Sequence, residues 1–235
     1  MMQILPGYHL KTQLYKSPCS LVYRAIRESD MQAVVIKLLN IEYPSQEDLA
    51  RFKRGYSLIR GVGADSIISV YSMERYKNTL FIVMEDFGGV SIANVLASGA
   101  LGVERFLQLA ISIADAVAQI HQLKLIHKDI CPQNIVINLE TNQIKIIDFG
   151  ISSELFSETQ GVINPEHLEG TLDYLSPEQT GRMNRVVDYR TDLYALGATF
   201  YHMLTGVPPF NGRDAMELVH AHLSFIQIFE LTRPY

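Results

Sequence analysis

His127-Lys128-Asp129-Ile130-Cys131-Pro132-Gln133-Asn134, followed by two apolar runs and then by Asp148-Phe149-Gly150, is the stretch on which the reading of this chain turns. It sets an acid, an amide and a second acid in a fixed order. A phosphoryl-transfer site needs such a set: one group to receive a hydroxyl's proton, and two oxygen ligands for Mg²⁺ beside a nucleotide's phosphates. Asp129, Asn134 and Asp148 have those identities. The two acids lie nineteen positions apart, and the sequence between them has the pattern of a hairpin. Ile135-Val136-Ile137 and Ile144-Lys145-Ile146-Ile147 are β-branched runs, and Thr141-Asn142-Gln143 supplies turn chemistry. Such a hairpin predicts both acids at one edge of a cleft. His-x-Asp and Asp-Phe-Gly are each common by chance; their order around a hairpin is what carries weight.

The rest of the sequence sets the bounds. The 235 residues suit one large domain or two small lobes, and with 48% hydrophobic residues they can build a sizeable core. A net charge of −5 with scattered Lys and Arg gives no basic stripe, which argues against an extended nucleic-acid surface. The opening Met1-Met2-Gln3-Ile4-Leu5-Pro6-Gly7 lacks the charged and apolar regions of a leader, and no run of about 18 apolar residues follows. A cytoplasmic protein without a membrane partner is expected. Cys19 and Cys131 have neither metal-ligand spacing nor a disulfide framework and are expected as reduced thiols.

The first ninety residues are strand-rich. Leu21–Ala25, Ala33–Leu39, Ile67–Tyr71 and Leu80–Met84 are β-type runs, interrupted by a helix from Ser45, with Asp48 as its capping acid, to about Arg60 before Gly61 and Gly63. Glu85-Asp86-Phe87-Gly88-Gly89 breaks the pattern as a hinge, and the chain beyond it is largely helical. Phe106, Ala110, Ile113, Val117 and Ile120 repeat at helical spacing and lead into His127, which is expected to be structural rather than catalytic.

At this point the pattern resembles the eukaryotic-type serine/threonine protein kinase domain, from about Gly7 to His222. Val34-Val35-Ile36-Lys37 resembles the strand whose lysine reaches the α- and β-phosphates, and Met84–Gly88 resembles the hinge that contacts adenine, with Glu85 and Phe87 as contact positions. Gly170-Thr171-Leu172-Asp173-Tyr174-Leu175-Ser176-Pro177-Glu178 is similar to the end of an activation segment, its threonine supporting the catalytic acid. Asp192-Leu193-Tyr194-Ala195-Leu196-Gly197 is similar to the helix whose buried aspartate braces the catalytic loop, and Gly206-Val207-Pro208-Pro209-Phe210 closes the block. Ser176–Arg185 with Asp188–Asp192 resembles more narrowly the kinase domain of bacterial, cyanobacterial-type hybrid serine/threonine-histidine kinases. The resemblance implies an α+β, bilobal fold over residues 1–235. The N-lobe (about 7–85) would be an antiparallel sheet with one main helix, the hinge would be 85–89, and the helical C-lobe (about 90–235) would be truncated at its C-terminus. It implies ATP and Mg²⁺ as cofactors, a protein substrate with a serine or threonine hydroxyl, and downstream signalling domains or two-component partners. Asp129, Lys37, Asn134 and Thr171 would be catalytic; Lys37, Tyr15, Ser17, Ser20, Val22, Glu85, Phe87 and Asp148 would contact nucleotide; Asn134 and Asp148 would bind metal.

Several positions depart from that family. Tyr15, Ser17 and Ser20 stand where the phosphate-covering loop has glycines, with Pro18 near its tip. Gly55 stands where the family has a helix glutamate that pairs with the strand lysine. Lys37 should therefore lean toward Asp148 or the phosphates, and Gly55→Glu is expected to separate a crippled enzyme, which would gain activity, from a regulatory module, which would not. Glu47, about 80° around the helix, is a poor substitute. Cys131 replaces a lysine that touches the transferred phosphate, and Lys128 replaces an arginine. Both cysteines are expected near the nucleotide. Ser157 and Thr159 are candidate phosphosites by position, and Glu178 is expected to lack its arginine, with Arg233 an unlikely replacement. The expectation is a slow serine/threonine kinase; the alternative is a pseudokinase or truncated regulatory module with residual nucleotide binding.

Overall fold

The computed structural model describes residues 5–155, 170–183, 185–212 and 214–231, with side chains as far as 224 in the last stretch. Ser157, Thr159 and Arg233 lie outside the described residues. The chain is α+β and divides into two compact units. The first runs to Gly89 and takes in Asp148–Gly150; the second holds 90–147 and the chain after 150.

The first unit contains β1 (Tyr8–Lys16), β2 (Ser20–Arg27), β3 (Ala33–Leu39), α1 (Gln46–Ile59), β4 (Val70–Tyr76) and β5 (Thr79–Glu85). The strands form one antiparallel sheet in the order β1-β2-β3-β5-β4. β3 explains its layering. Val34, Ile36 and Leu38 point to one face, with Ala25, Phe81 and Val83, while Leu39 points to the other, with Ile82 and with Phe52 and Tyr56 of α1. Lys37 shares the parity of Leu39, so the two-residue period of a strand puts it on the face covered by α1.

Helix α1 starts where its capping chemistry requires. Ser45 Oγ accepts from Asp48 N at 3.1 Å, and the Asp48 carboxylate accepts from Ser45 N at 2.9 Å. Phe52, Gly55, Tyr56 and Ile59 form its buried stripe. Past the C-cap Arg60, Gly61 takes φ +78°, which ends the helix in a conformation that suits glycine.

One strand falls outside the expected runs and one expected run needs correction. β1 is an edge strand with Leu10 as its one buried residue and so shows no apolar alternation. The run Ile67–Tyr71 is a strand only from Val70. Ile67 and Ile68 are buried just ahead of it, where Ile67 N bonds Ala64 O, so the apolar run reports core packing as well as the strand.

The second unit contains β6 (Val90–Ser91), α2 (Ile92–Leu96), α3 (Val103–Gln122), β7 (Leu125–Ile126), β8 (Ile135–Ile137), β9 (Ile144–Ile146), β10 (Ser153–Glu154), α4 (Tyr189–Thr205) and α5 (Ala215–Leu231). α3 buries Leu109, Ala110, Ile113, Ala116, Val117 and Ile120 along one stripe. The β8–β9 hairpin pairs Ile135 with Ile146 and Ile137 with Ile144. Asn138 Oδ1 accepts from Glu140 N and Thr141 N to shape its turn, and Asn142 sits at φ +57°, a region asparagine tolerates. α5 runs well past the helix read from Asp214 to His220; the sequence has no glycine or proline from Ala215 until Pro234. No helix among the described residues is long and apolar enough to cross a membrane.

Candidate active site

In the second unit the loop from His127 to Asn134 is held by groups that come from far along the chain. Asp192, in the first turn of α4, is fully buried and accepts three hydrogen bonds: from His127 N (2.9 Å), Lys128 N (2.7 Å) and His121 Nε2 (2.8 Å). A buried carboxylate is tolerated when its lone pairs are filled in this way. The His121 ring is stacked on Tyr189, whose hydroxyl donates to His121 O. His127 is buried and structural. Its Nδ1 accepts from Asp129 N at 3.3 Å, which assigns the ring proton to Nε2, and Nε2 donates to Ile147 O at 3.0 Å. Ser152 Oγ donates to His127 O.

These bonds orient Asp129. One carboxylate oxygen accepts from Thr171 N at 2.8 Å and the other from Asn134 Nδ2 at 2.8 Å, while the same Nδ2 also donates to Asp129 O at 2.9 Å. Asp129, Asn134 and Thr171 are thus brought together. Thr171 holds the acid through its backbone N–H; its hydroxyl lies 3.6 Å from Cys131 Sγ. Gly170 precedes it at φ +106°, a conformation costly for any side chain, and a Cβ there would sit 3.5 Å from Asp129 Oδ1. Cys131 is fully buried, so it faces the protein interior and not a ligand. Burial, and then the charge of Asp129, push its thiol far above the usual range and leave it inert. Cys19, in contrast, is exposed.

Glu178, expected to lack its arginine, is not left without a partner: Thr191 Oγ1 bonds its carboxylate at 2.7 Å. Gln179 bonds Lys128 O through its side-chain amide at 2.8 Å, a contact that no spacing rule anticipates.

The first unit holds a second set. Lys37 Nζ lies 2.6 Å from Asp148 Oδ2, the direction its lack of a helix acid implies. Asp148 adopts φ +67° and accepts a long bond (3.4 Å) from Gly150 N. Lys37 pairs across the sheet with Val22, which places Val22 beside it on β2. The β1–β2 turn is closed on itself: Ser17 N donates to Ser20 O, Ser20 N donates to Ser17 Oγ, and Asn40 ties the turn to the end of β3 through bonds to Ser17 O and Cys19 O. Two serine N–H groups that a phosphate-covering loop would direct at its ligand are therefore engaged inside the turn. Tyr15 is exposed at the end of β1. Glu85 closes β5, its N bonded to Ser69 O and its carboxylate to Ser69 N, and Phe87 follows two residues past the strand. Arg24 of β2 reaches Asp86 at 2.6 Å, a tie across this segment that the sequence did not suggest.

Gly55 has a steric reason to be glycine. A Cβ there would lie 3.1 Å from Gly150 Cα, Gly150 N and Phe149 C, all backbone atoms without a flexible end to give way. A side chain at 55 thus meets the Asp-Phe-Gly backbone before it can reach Lys37, so Gly55→Glu tests packing as well as the missing acid. Overpacking costs about 1–3 kcal/mol, partly offset by the roughly 1 kcal/mol that leaving glycine gains in a helix. With a net cost of up to about 2 kcal/mol, and at about 2–4 °C per kcal/mol, Gly55→Glu is expected to lower the melting temperature by a few degrees, up to about 8 °C, whereas Gly63→Ala, where nothing lies within 4 Å, leaves it unchanged. Equal melting temperatures for both variants would show that the helix and the segment separate freely.

The family model described as "protein kinase domain" matches residues 8–234. The chain belongs to the protein kinase family. It is 32% identical over 218 residues to a probable serine/threonine-protein kinase of Clostridium perfringens, covering 92% of this chain and 31% of that protein. It is 33% identical to the serine/threonine-protein kinase PrkC of Bacillus subtilis (81% and 29%) and 30% identical to the serine/threonine-protein kinase PknB of Mycobacterium tuberculosis (81% and 31%). The chain spans about three tenths of the length of these relatives. In a protein kinase domain, ATP and a divalent metal are the expected ligands, and the residues fit a hard cation. In the second unit Asn134 spends its amide nitrogen on Asp129, which leaves its amide oxygen facing away from that acid; in the first, Asp148 carries a partly exposed carboxylate. Oxygen ligands of both kinds suit Mg²⁺. No cluster of three or more His, Cys, Asp or Glu able to hold a metal occurs among the described residues.

Proposed function

We propose that this chain is a serine/threonine protein kinase domain that transfers the γ-phosphoryl group of ATP to a protein hydroxyl, at a slow rate. The observation that carries the proposal is the fixed carboxylate of Asp129, held at one oxygen by Thr171 N and at the other by Asn134 Nδ2. Each carboxylate oxygen accepts more than one hydrogen bond, so Asp129 retains capacity to orient a serine or threonine hydroxyl and receive its proton. Lys37 would position the α- and β-phosphates, exchanging part of its bond to Asp148 for them. Asn134 and Asp148 would hold Mg²⁺, which when bound neutralises charge on the phosphates. Val22, Glu85 and Phe87 would contact the nucleotide. Catalysis of this kind is positioning and charge stabilisation. The β1–β2 turn supports the slow rate, because Ser17 N and Ser20 N are committed within it.

ATP as the donor fits a cytoplasmic setting, and a protein substrate is the natural partner. The Ser176–Arg185 and Asp188–Asp192 stretches support a place within a larger signalling protein of the hybrid-kinase type, with two-component partners downstream.

One second reading has its own observation. The self-closed turn and the close seating of Gly55 also suit a regulatory module that binds nucleotide without transferring phosphate. Purified protein incubated with γ-labelled Mg-ATP and a mixed protein substrate separates the two. The kinase reading expects label on serine and threonine and none on tyrosine. Thermal stabilisation by Mg-ATP without any label would overturn it in favour of the module, and the absence of both would defeat each reading.

A further inference from the structure

We propose that Gln179 is a positioning residue for Asp129, acting through the Lys128–Asp129 peptide; this deepens the kinase reading and rests on it for the role of Asp129. Lys128 adopts φ +69°, a strained conformation for a residue with a Cβ, directly before the acid. Such strain persists only where the surroundings over-determine it. Here both backbone polar groups of Lys128 are engaged by buried side chains from distant parts of the sequence. Its N–H donates to Asp192 Oδ1 at 2.7 Å, and its C=O accepts from Gln179 Nε2 at 2.8 Å.

The orientation of the Gln179 amide is fixed by its other end. Oε1 accepts from Ser176 N at 3.1 Å and from Ser176 Oγ at 3.0 Å. Because a backbone N–H can only donate, the atom facing Ser176 must be the oxygen, and the NH₂ must face Lys128 O. Gln179 is buried and lies in the 3-10 turn Pro177–Thr180. Glu178, beside it, anchors the same turn to α4 through Thr191. The Lys128–Asp129 peptide is the link that sets the direction of the Asp129 side chain, so a donor at Gln179 fixes the aim of the acid without touching substrate.

Two variants separate positioning from simple support. Gln179→Glu keeps an acceptor for Ser176 N and Oγ but has no donor for Lys128 O when ionised; Gln179→Met has neither. In phosphotransfer, Gln179→Glu is expected to lower kcat about tenfold or more with KM for Mg-ATP within about twofold, since the interaction acts on the reacting geometry and not on nucleotide binding. A residue that merely supported the fold would leave kcat near wild type in Gln179→Glu, whose Ser176 contacts survive, and that result would overturn the proposal. Hydrogen exchange gives a readout that does not depend on activity. Amides of 127–131 are expected to exchange about three- to tenfold faster in both variants, the size of one lost hydrogen bond, with those of α3 unchanged. Unchanged exchange at 127–131 would also overturn it. If the unaltered chain transfers no phosphate, the kinase reading fails while exchange still decides whether Gln179 holds this peptide.

Discussion

Asp129→Asn is expected to lower kcat for phosphotransfer by about 10²–10⁴-fold, the range a positioned proton acceptor contributes, while thermal stabilisation by Mg-ATP persists. The size of the loss follows from the contacts. Both carboxylate oxygens of Asp129 accept from N–H groups, Thr171 N at one and Asn134 Nδ2 at the other. An amide in that place has one oxygen and one NH₂, so one of these two donors must face another donor. The variant therefore loses its proton acceptor and also the fixed aim of the side chain, and about 1–3 kcal/mol of stability for the unpaired donor. Rate measurements at saturating Mg-ATP, beside melting temperatures with and without nucleotide, separate the two losses. Full activity in Asp129→Asn would remove Asp129 from the mechanism, whatever the stability change.

The separation of these effects bears on what the sequence could show. The acids, the amide and the hairpin between them were legible because each has a local signature: residue identity in a fixed order, β-branched runs at period two, and turn residues where Asn138 and Asn142 now shape the turn. The capping box of α1 was legible for the same reason, since Ser45 and Asp48 satisfy each other within four residues. What was hidden depends on contacts across many residues. Nothing near Gln179 in the chain indicates that its amide ends on Lys128 O, 51 residues away. Likewise the value of Gly55 lies in the backbone it touches at Phe149 and Gly150, nearly a hundred residues later. Read as a missing glutamate, Gly55 signalled a deficit; read with its neighbours, it is a fitted contact.

Edge strands and the packing of turns were obscured by burial rather than by distance. β1 carries mostly exposed side chains, so its strand character rests on hydrogen bonds to β2, with shifts in register between Leu10 and Thr12 and between Gln13 and Tyr15. Ile67 and Ile68 show the reverse, strong apolar character at buried positions that precede the strand itself, which starts at Val70. Hydrophobic pattern reports which side chains leave water, and only indirectly which backbone pairs.

Asp192→Ala is expected to be the most destabilising single change in the second unit, by about 3–5 kcal/mol, the cost of removing one member of a buried charged network. The carboxylate is fully buried and gathers His127 N, Lys128 N and His121 Nε2. Alanine leaves three donors facing a void that methyl cannot fill, and water would enter only by loosening the loop. At about 2–4 °C per kcal/mol for a chain of this size, the melting temperature should fall by roughly 10 °C. Asp192→Asn should cost less, because its oxygen can still serve one side of the cluster while its NH₂ opposes the other. Phosphotransfer should fall in both variants even well below their melting temperatures, since the strained backbone of Lys128 then loses the Asp192 Oδ1 acceptor that holds its N–H. That ordering, stability loss greater in Ala than Asn but activity lost in both, distinguishes a brace for the catalytic loop from a residue that merely fills the core of α4. A variant that melted early yet transferred phosphate normally at low temperature would show that the loop holds its geometry without Asp192.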